Sequence, residues 1–217
     1  DRHWDHKYAD KYVTEKIRVI PNGVPKVPSN SIPSERILRV YNSMSSKNIA
    51  LYVANYELGK NQKLAIDVIA KLSEQSDLHL VLIGGTYNEY SEKLISIINK
   101  KQLKHKVSVL SGLDRNDVFW FYSISYLTLF TSKTECSPLS VMESLAFKKP
   151  VVATDVGCLN EWCGVSVCST ENELITEVDL LLNNEKYYLS QKRAISRSKS
   201  LISWDAVMRK YDELLLG

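Results

Sequence analysis

The chain contains no Gly-x-Gly-x-x-Gly, no Cys-x-x-Cys, no Asp-x-Asp and no apolar run of membrane-spanning length. Each absence removes a class. Without the glycine fingerprint after its first strand, a nicotinamide-dependent dehydrogenase is disfavoured. The four cysteines, at 136, 158, 163 and 168, lack the pairing that a zinc or iron–sulfur site uses. They read as small buried residues near strand ends. His3 and His6 sit in a polar terminal segment and read as part of it, not as metal ligands. No run approaches the roughly 20 apolar residues of a spanning helix. Residues Asp1 to His6 lack the apolar core of a signal peptide. A cytoplasmic chain is expected, with the membrane surface as the alternative site. Charge of one sign is scarce too. Lys and Arg number 28 against 25 Asp and Glu, a net charge of +3. That is too little to argue for a nucleic-acid partner.

What is present suits one α/β domain with extensions. The 217 residues are 44% hydrophobic and 24% charged, and the length is short for two full domains. A strand is expected at 16–20, stopped by the turn signal Pro21-Asn22-Gly23. Further strands are expected at 48–54, 78–83, 107–110, 126–131, 151–153 and 165–168. Between them the apolar spacing predicts helices at 34–42, 61–74, 89–100, 115–124, 138–147, 159–163, 170–183, 185–200 and 204–215. Asp114 reads as an N-cap, with Asp117 three residues on as the partner of a capping box. Near-continuous apolar strands alternating with helices argue a parallel sheet covered on both faces. Right-handed crossovers then give a doubly wound, Rossmann-like domain. Ligands bind such sheets at the carboxyl ends of the strands. The segments there are 55–61, 84–88, 111–114, 131–140 and 154–159.

One of those segments carries two carboxylates around a helix start, Glu135-Cys-Ser-Pro-Leu-Ser-Val-Met-Glu143. Ser137 is a suitable N-cap and Pro138 a favoured first helical residue. Free N–H groups and the helix dipole at that end attract anions. Glu143, on the second turn, can accept hydrogen bonds from vicinal hydroxyls. From spacing alone, two surface or capping carboxylates remain the commoner explanation.

The surrounding residues add a resemblance. Glu135 to Glu143, followed by Lys149-Pro-Val-Val-Ala-Thr-Asp-Val-Gly157, is similar to the Glu-x7-Glu signature of glycosyltransferase family 4. Those enzymes are retaining and have the GT-B fold. Val19 to Val24, Leu51 to Asn61, Val81 to Gly85, Val107 to Gly112, Tyr126 to Ser132 and Ser203-Trp204 resemble further segments in the family's order. The resemblance covers about residues 16–217. It implies the C-terminal, nucleotide-sugar-binding half of a GT-B enzyme. Residues 1–24 would be an interdomain connection and the strand after it. Residues 25–200 would be the donor domain, and 201–217 a terminal helix crossing back toward the other domain. By the same resemblance Glu143 binds the donor ribose, Glu135 contacts the transferred sugar, and Lys60 pairs with the donor phosphates. Glu135 and Lys60 are then the catalytic candidates. Backbone groups near Ser137, Pro138, Leu139 and Ser140 cradle the distal phosphate or sugar, and Gly84 lets the backbone approach the donor. The substrate is a nucleoside-diphosphate sugar such as a UDP- or GDP-sugar, with no metal or other cofactor. The acceptor, a glycan or lipid-linked saccharide, is expected to be held by an N-terminal domain, either in a longer protein of which this chain is a fragment or on a separate partner chain.

Two departures stand out. Ala54-Asn55 replaces the family's Gly-Arg, so Asn55 lacks the charge and fork of a phosphate clamp. Lys133 is a candidate substitute. Cys136-Ser137-Pro138 replaces a Gly-aromatic-Gly. Asn55 keeps a non-catalytic nucleotide-sugar-binding module open as a second reading, and a GT-B sugar-nucleotide epimerase is a third. The aromatic run Phe119 to Tyr122 reads as core and domain interface. Tyr187-Tyr188 opens a Lys/Arg-rich helix read as a solvated face, with a peripheral membrane contact as its alternative.

Overall fold

The computed structural model describes residues 20–28, 30–44, 48–72, 76–198 and 203–216. The strand expected at 16–20 lies outside these residues except for Ile20, as do His3 and His6.

Six strands form one sheet: β1 (Ile49–Val53), β2 (His79–Gly84), β3 (Val107–Ser111), β4 (Leu127–Phe130), β5 (Val151–Thr154) and β6 (Val165–Cys168). Their order is β3-β2-β1-β4-β5-β6, and every pair is parallel. Parallel strands need crossovers, and eight helices are described: α1 (Glu35–Asn42), α2 (Gln62–Lys71), α3 (Glu89–Lys100), α4 (Arg115–Ile124), α5 (Leu139–Ala146), α6 (Glu171–Asn183), α7 (Glu185–Arg197) and α8 (Trp204–Leu216). The expected helix at 159–163 is a single 3₁₀ turn, Leu159–Glu161.

Strand alternation divides the core in two. Ala50, Tyr52, Leu80 and Leu82 point to one face, where Ile66 and Ile69 of α2, Leu94 of α3 and Val178 of α6 cover them. Ile49, Leu51, Val81 and Ile83 point to the other, under Ile37 of α1 and Phe121 and Tyr122 of α4. The side chains named on both faces are all buried. Both faces of the sheet are therefore closed, which is why its strands read as unbroken apolar runs.

Sequential strands lie outward in one direction from β1 to β3, and β4 starts again on the other side of β1. The crevice between β1 and β4 is thus the topological switch point, where open α/β sheets take ligands. The segments leaving these two strands are 54–61 and 131–138, and they carry Lys60 and Glu135.

The capping box expected at Asp114 is half present. Asp114 accepts the N–H of Asp117 at 2.8 Å. The Asp117 carboxylate does not return the bond. It accepts the N–H of Ser34 at 2.6 Å and its hydroxyl at 2.9 Å, tying the start of α1 to the first turn of α4. Tyr187 and Tyr188 are not solvated either. Tyr188 stacks on Tyr126 with centroids 4.1 Å apart and donates to the Tyr126 carbonyl at 3.1 Å. Tyr187 donates to Glu177 at 2.7 Å. The two rings hold α7 onto the domain. Among the cysteines only Cys158 and Cys168 are buried; Cys136 and Cys163 are exposed, because both sit in loops clear of the sheet.

Candidate functional site

Lys60 is placed by its backbone. The carbonyl of Lys60 accepts the hydroxyl of Tyr52, a buried β1 side chain. Burial pushes that phenol up to about 12, so it stays a donor. Thr131 donates to the Asn61 carbonyl at 2.9 Å, and the Lys133 N–H donates to the Gly59 carbonyl at 2.8 Å. The loops leaving β1 and β4 are therefore bonded to each other. Across that seam Lys60 Nζ lies 2.6 Å from Glu135 Oε1, with side-chain exposures of 29% and 11%.

The Glu135 loop rests on the turn after β5. Gly157 has φ +59°, and a Cβ there would lie 2.6 Å from the carbonyl oxygens of both Glu135 and Cys136. Cys158 also donates its thiol to the Cys136 carbonyl at 3.3 Å. From the other side, Asn22 donates to the Ser137 carbonyl at 3.4 Å.

The helix start differs from the expectation by one residue. Pro138, not Ser137, is the N-cap of α5, and no side chain caps it. Pro138 at φ −70° and ψ 118° is still extended. The Ser137 hydroxyl instead reaches Met142 Sδ at 3.9 Å. The first backbone N–H groups, at Leu139 and Ser140, are thus left without a side-chain acceptor, the condition that suits an anion. Leu139 is exposed beside them.

Glu143 lies on the same helix and is 6% exposed. Its Oε1 is paired with the guanidinium of Arg115, the first residue of α4. Arg115 also sits over the Phe119 ring, 4.3 Å from its centroid. Tyr122 of α4 donates to the Ser140 carbonyl at 3.0 Å. Burial first, and the nearby Glu143 charge second, push its phenol well above the ordinary tyrosine range. Two side chains of α4 thus fix the turn of α5 that carries Glu143.

The structure therefore brings Lys60, Glu135, Ser137, Pro138, Leu139, Ser140 and Glu143 to the carboxyl edge of the sheet. Asn55 is exposed at the same edge, with its Oδ1 3.0 Å from where a Cβ on Gly85 would stand. Gly84 is buried, and a Cβ there would overlap the ring of Tyr56. The space for glycine at 84 is filled by that aromatic packing. Arg115 was not singled out from the sequence. Its signal was positional: it follows the cap Asp114 directly, in the segment leaving β3. Lys133, considered as the replacement cation, is exposed, whereas Arg115 makes the contact to a site carboxylate.

The family described as Glycosyl transferases group 1 matches residues 33–198. An uncharacterized glycosyltransferase of Haemophilus influenzae is 26% identical over 216 residues, 95% of this chain and 56% of its own length. Anabaena HepE, solved in complex with UDP and glucose, superposes with a TM-score of 0.76 at 18% identity, over 92% of this chain and 56% of that one. The C-terminal domain of a glycosyl transferase group 1 protein from Francisella tularensis, LpcC, was solved by itself. It superposes with a TM-score of 0.62 at 19% identity, over 87% of this chain and 98% of that one. The chain thus spans about half the length of the full-length relatives it matches.

Proposed function

The chain belongs to the group 1 glycosyl transferases, and from that premise we propose that it is the donor-binding half of a retaining glycosyltransferase of family 4. The reading rests above all on one observation. Lys60 and Glu135, on loops leaving two different strands, pair at the switch point of the sheet, and Glu143 lies on the helix that follows the second of these loops.

The substrate is a nucleoside-diphosphate sugar. Glu143 accepts the vicinal ribose hydroxyls, and Glu135 accepts hydroxyls of the transferred sugar. The diphosphate lies between them, against Lys60 and the uncapped N–H groups of Leu139 and Ser140. During transfer the bond from the anomeric carbon to the diphosphate oxygen breaks. An acceptor hydroxyl forms the new bond and passes its proton to the departing diphosphate oxygen. Negative charge grows on the departing diphosphate, where the Lys60 ammonium stabilises it. Lys60 then exchanges its Glu135 partner for phosphate, and Glu135 is released toward the sugar. No metal is assigned to the reaction.

The acceptor, a glycan or lipid-linked saccharide, is assigned to a domain supplied by the rest of the protein. The exposed stripe Trp204, Met208, Tyr211 and Leu215 along α8 suits a helix that packs against such a domain. A second reading is favoured by Asn55 alone, which puts an uncharged side chain where the resemblance implies an arginine. It is a module that binds a nucleotide sugar without turning it over.

Calorimetry with UDP, GDP and their sugars tests the first step. Saturable binding that Glu143→Ala weakens by about tenfold or more supports the proposal. No binding up to about millimolar ligand overturns it. Assay of the whole protein, wild type against Asn55→Arg, separates the readings: a silent wild type rescued by the substitution favours the module.

A further inference from the structure

We infer that Arg115 is a positioning residue for Glu143, holding one carboxylate oxygen so that the other is presented to the ribose diol of the donor. The inference rests on the proposed role of Glu143 and goes beyond it by assigning the residue that makes the carboxylate competent.

Glu143 needs such a partner. It is 6% exposed, within the run Val141 to Leu145 in which every residue is buried. An ionised carboxylate removed from water to that degree is costly unless it is paired. Among the described residues, Arg115 is the cation that pairs with it. Lys60 is engaged 2.6 Å from Glu135. The Tyr122 hydroxyl, also nearby, donates to the Ser140 carbonyl.

Arg115 is held in place itself. Its guanidinium rests 4.3 Å from the Phe119 ring centroid, one helical turn along α4. The first turn of α4 is fixed by Asp114 capping Asp117, and by the Asp117 carboxylate gripping Ser34. A surface arginine loses side-chain freedom when it forms an ion pair. Here the aromatic face and the anchored turn have already restricted it.

The stoichiometry leaves room for a ligand. A carboxylate offers about four lone-pair sites on two oxygens. Arg115 engages Oε1. Two vicinal hydroxyls can then bond to the remaining sites without expelling the arginine, and the carboxylate need not reorient when the donor arrives.

The test compares UDP and GDP with their 2′,3′-dideoxy counterparts by calorimetry at fixed salt. The wild-type chain is expected to prefer the ribose form by about tenfold or more, and Glu143→Gln to lose that preference. For Arg115→Ala the preference should fall below about threefold, while the dideoxy form binds nearly as it does to wild type. Arg115→Lys should recover part of the preference, and Phe119→Leu, which keeps the arginine but removes its rest, should show an intermediate value. Melting curves check that each variant folds; if Arg115→Ala does not, the other two carry the test. Equal weakening of both nucleotide forms by Arg115→Ala would make Arg115 a phosphate or base contact and overturn the inference. An unchanged ratio would do the same. A wild type that binds nucleotide but ignores the ribose hydroxyls removes the role of Glu143 itself. That failure shows in the wild-type arm before any arginine variant is measured.

Discussion

At position 157 a side chain has nowhere to go. The backbone is left-handed, and a Cβ would press on the carbonyl oxygens of Glu135 and Cys136. Gly157→Ala is expected to cost about 1–3 kcal/mol from the positive φ and the crowding. It should also displace the Glu135 loop. The measurement is a pair: a lower urea midpoint, and weaker nucleotide-sugar binding with nucleotide binding less affected. A glycine that merely eases a surface turn would change the first and not the second. Lys60 admits a similar separation. On the proposed reading Lys60→Ala removes the cation that faces the diphosphate, so binding of UDP or GDP should weaken by about tenfold or more. Glu135→Gln should spare nucleotide binding and reduce binding of the sugar-bearing form. Lys60, Glu135 and Glu143 stood out through the family resemblance, since spacing alone left the two carboxylates ordinary. Arg115 did not, because nothing in sequence links position 115 to 143. Only the packing of α4 against α5 does.

Elements were easier to read than their ends and their partners. Helices α3 and α4 have the bounds that periodicity and caps predict, Glu89–Lys100 and Arg115–Ile124. The strands were visible because both faces of a parallel sheet are buried. What local rules could not supply was the destination of polar groups. Asp117 looked like half of a capping box, yet its carboxylate serves Ser34, 83 residues away. Tyr187 and Tyr188 followed a basic pattern that suggests solvent, yet they anchor α7 through Glu177 and Tyr126. Asp117→Ala therefore removes the tie between α1 and α4 and not a local cap. A loss of about 1–3 kcal/mol is expected, seen as a lower denaturant midpoint, because Ser34 loses a charged acceptor. On α8 only Val207 is buried, while Met208, Tyr211 and Leu215 are exposed. Leu215→Glu should leave the melting temperature of this chain unchanged within about 0.5 kcal/mol of stability.

For the molecule as a whole, one half-buried amine predicts how stability varies with pH. Burial, and then the neighbouring Lys192, push the Lys149 ammonium down to about 8 from its usual 10.5. The unfolded chain keeps that proton up to the higher value, and the folded chain releases it from about 8. Between the two the unfolded state binds more protons, so stability rises with pH across that window. The folded Tyr52 and Tyr188 phenols, pushed up to about 12, keep their protons across it, so the rise is opposed only toward its upper end, where the unfolded phenols begin to titrate near 10.0. Urea titrations at about pH 7 and about pH 9.5 should show the rise, and Lys149→Met should flatten it. The parallel, doubly wound topology that the alternation predicts is observed, in six strands among the described residues. The switch point follows from it, and so does the reason that loops 75 residues apart in sequence, at Lys60 and Glu135, share one ion pair. Those loops are also sewn together by Thr131 on Asn61 and Lys133 on Gly59. The consequence is one of timing. Neither loop can open without breaking bonds to the other, so the amide of Lys133 should exchange with solvent at the rate at which the whole seam parts. A bound donor that bridges Lys60 and Glu135 would slow that single clock, and deuterium uptake at one amide would then report occupancy of both loops.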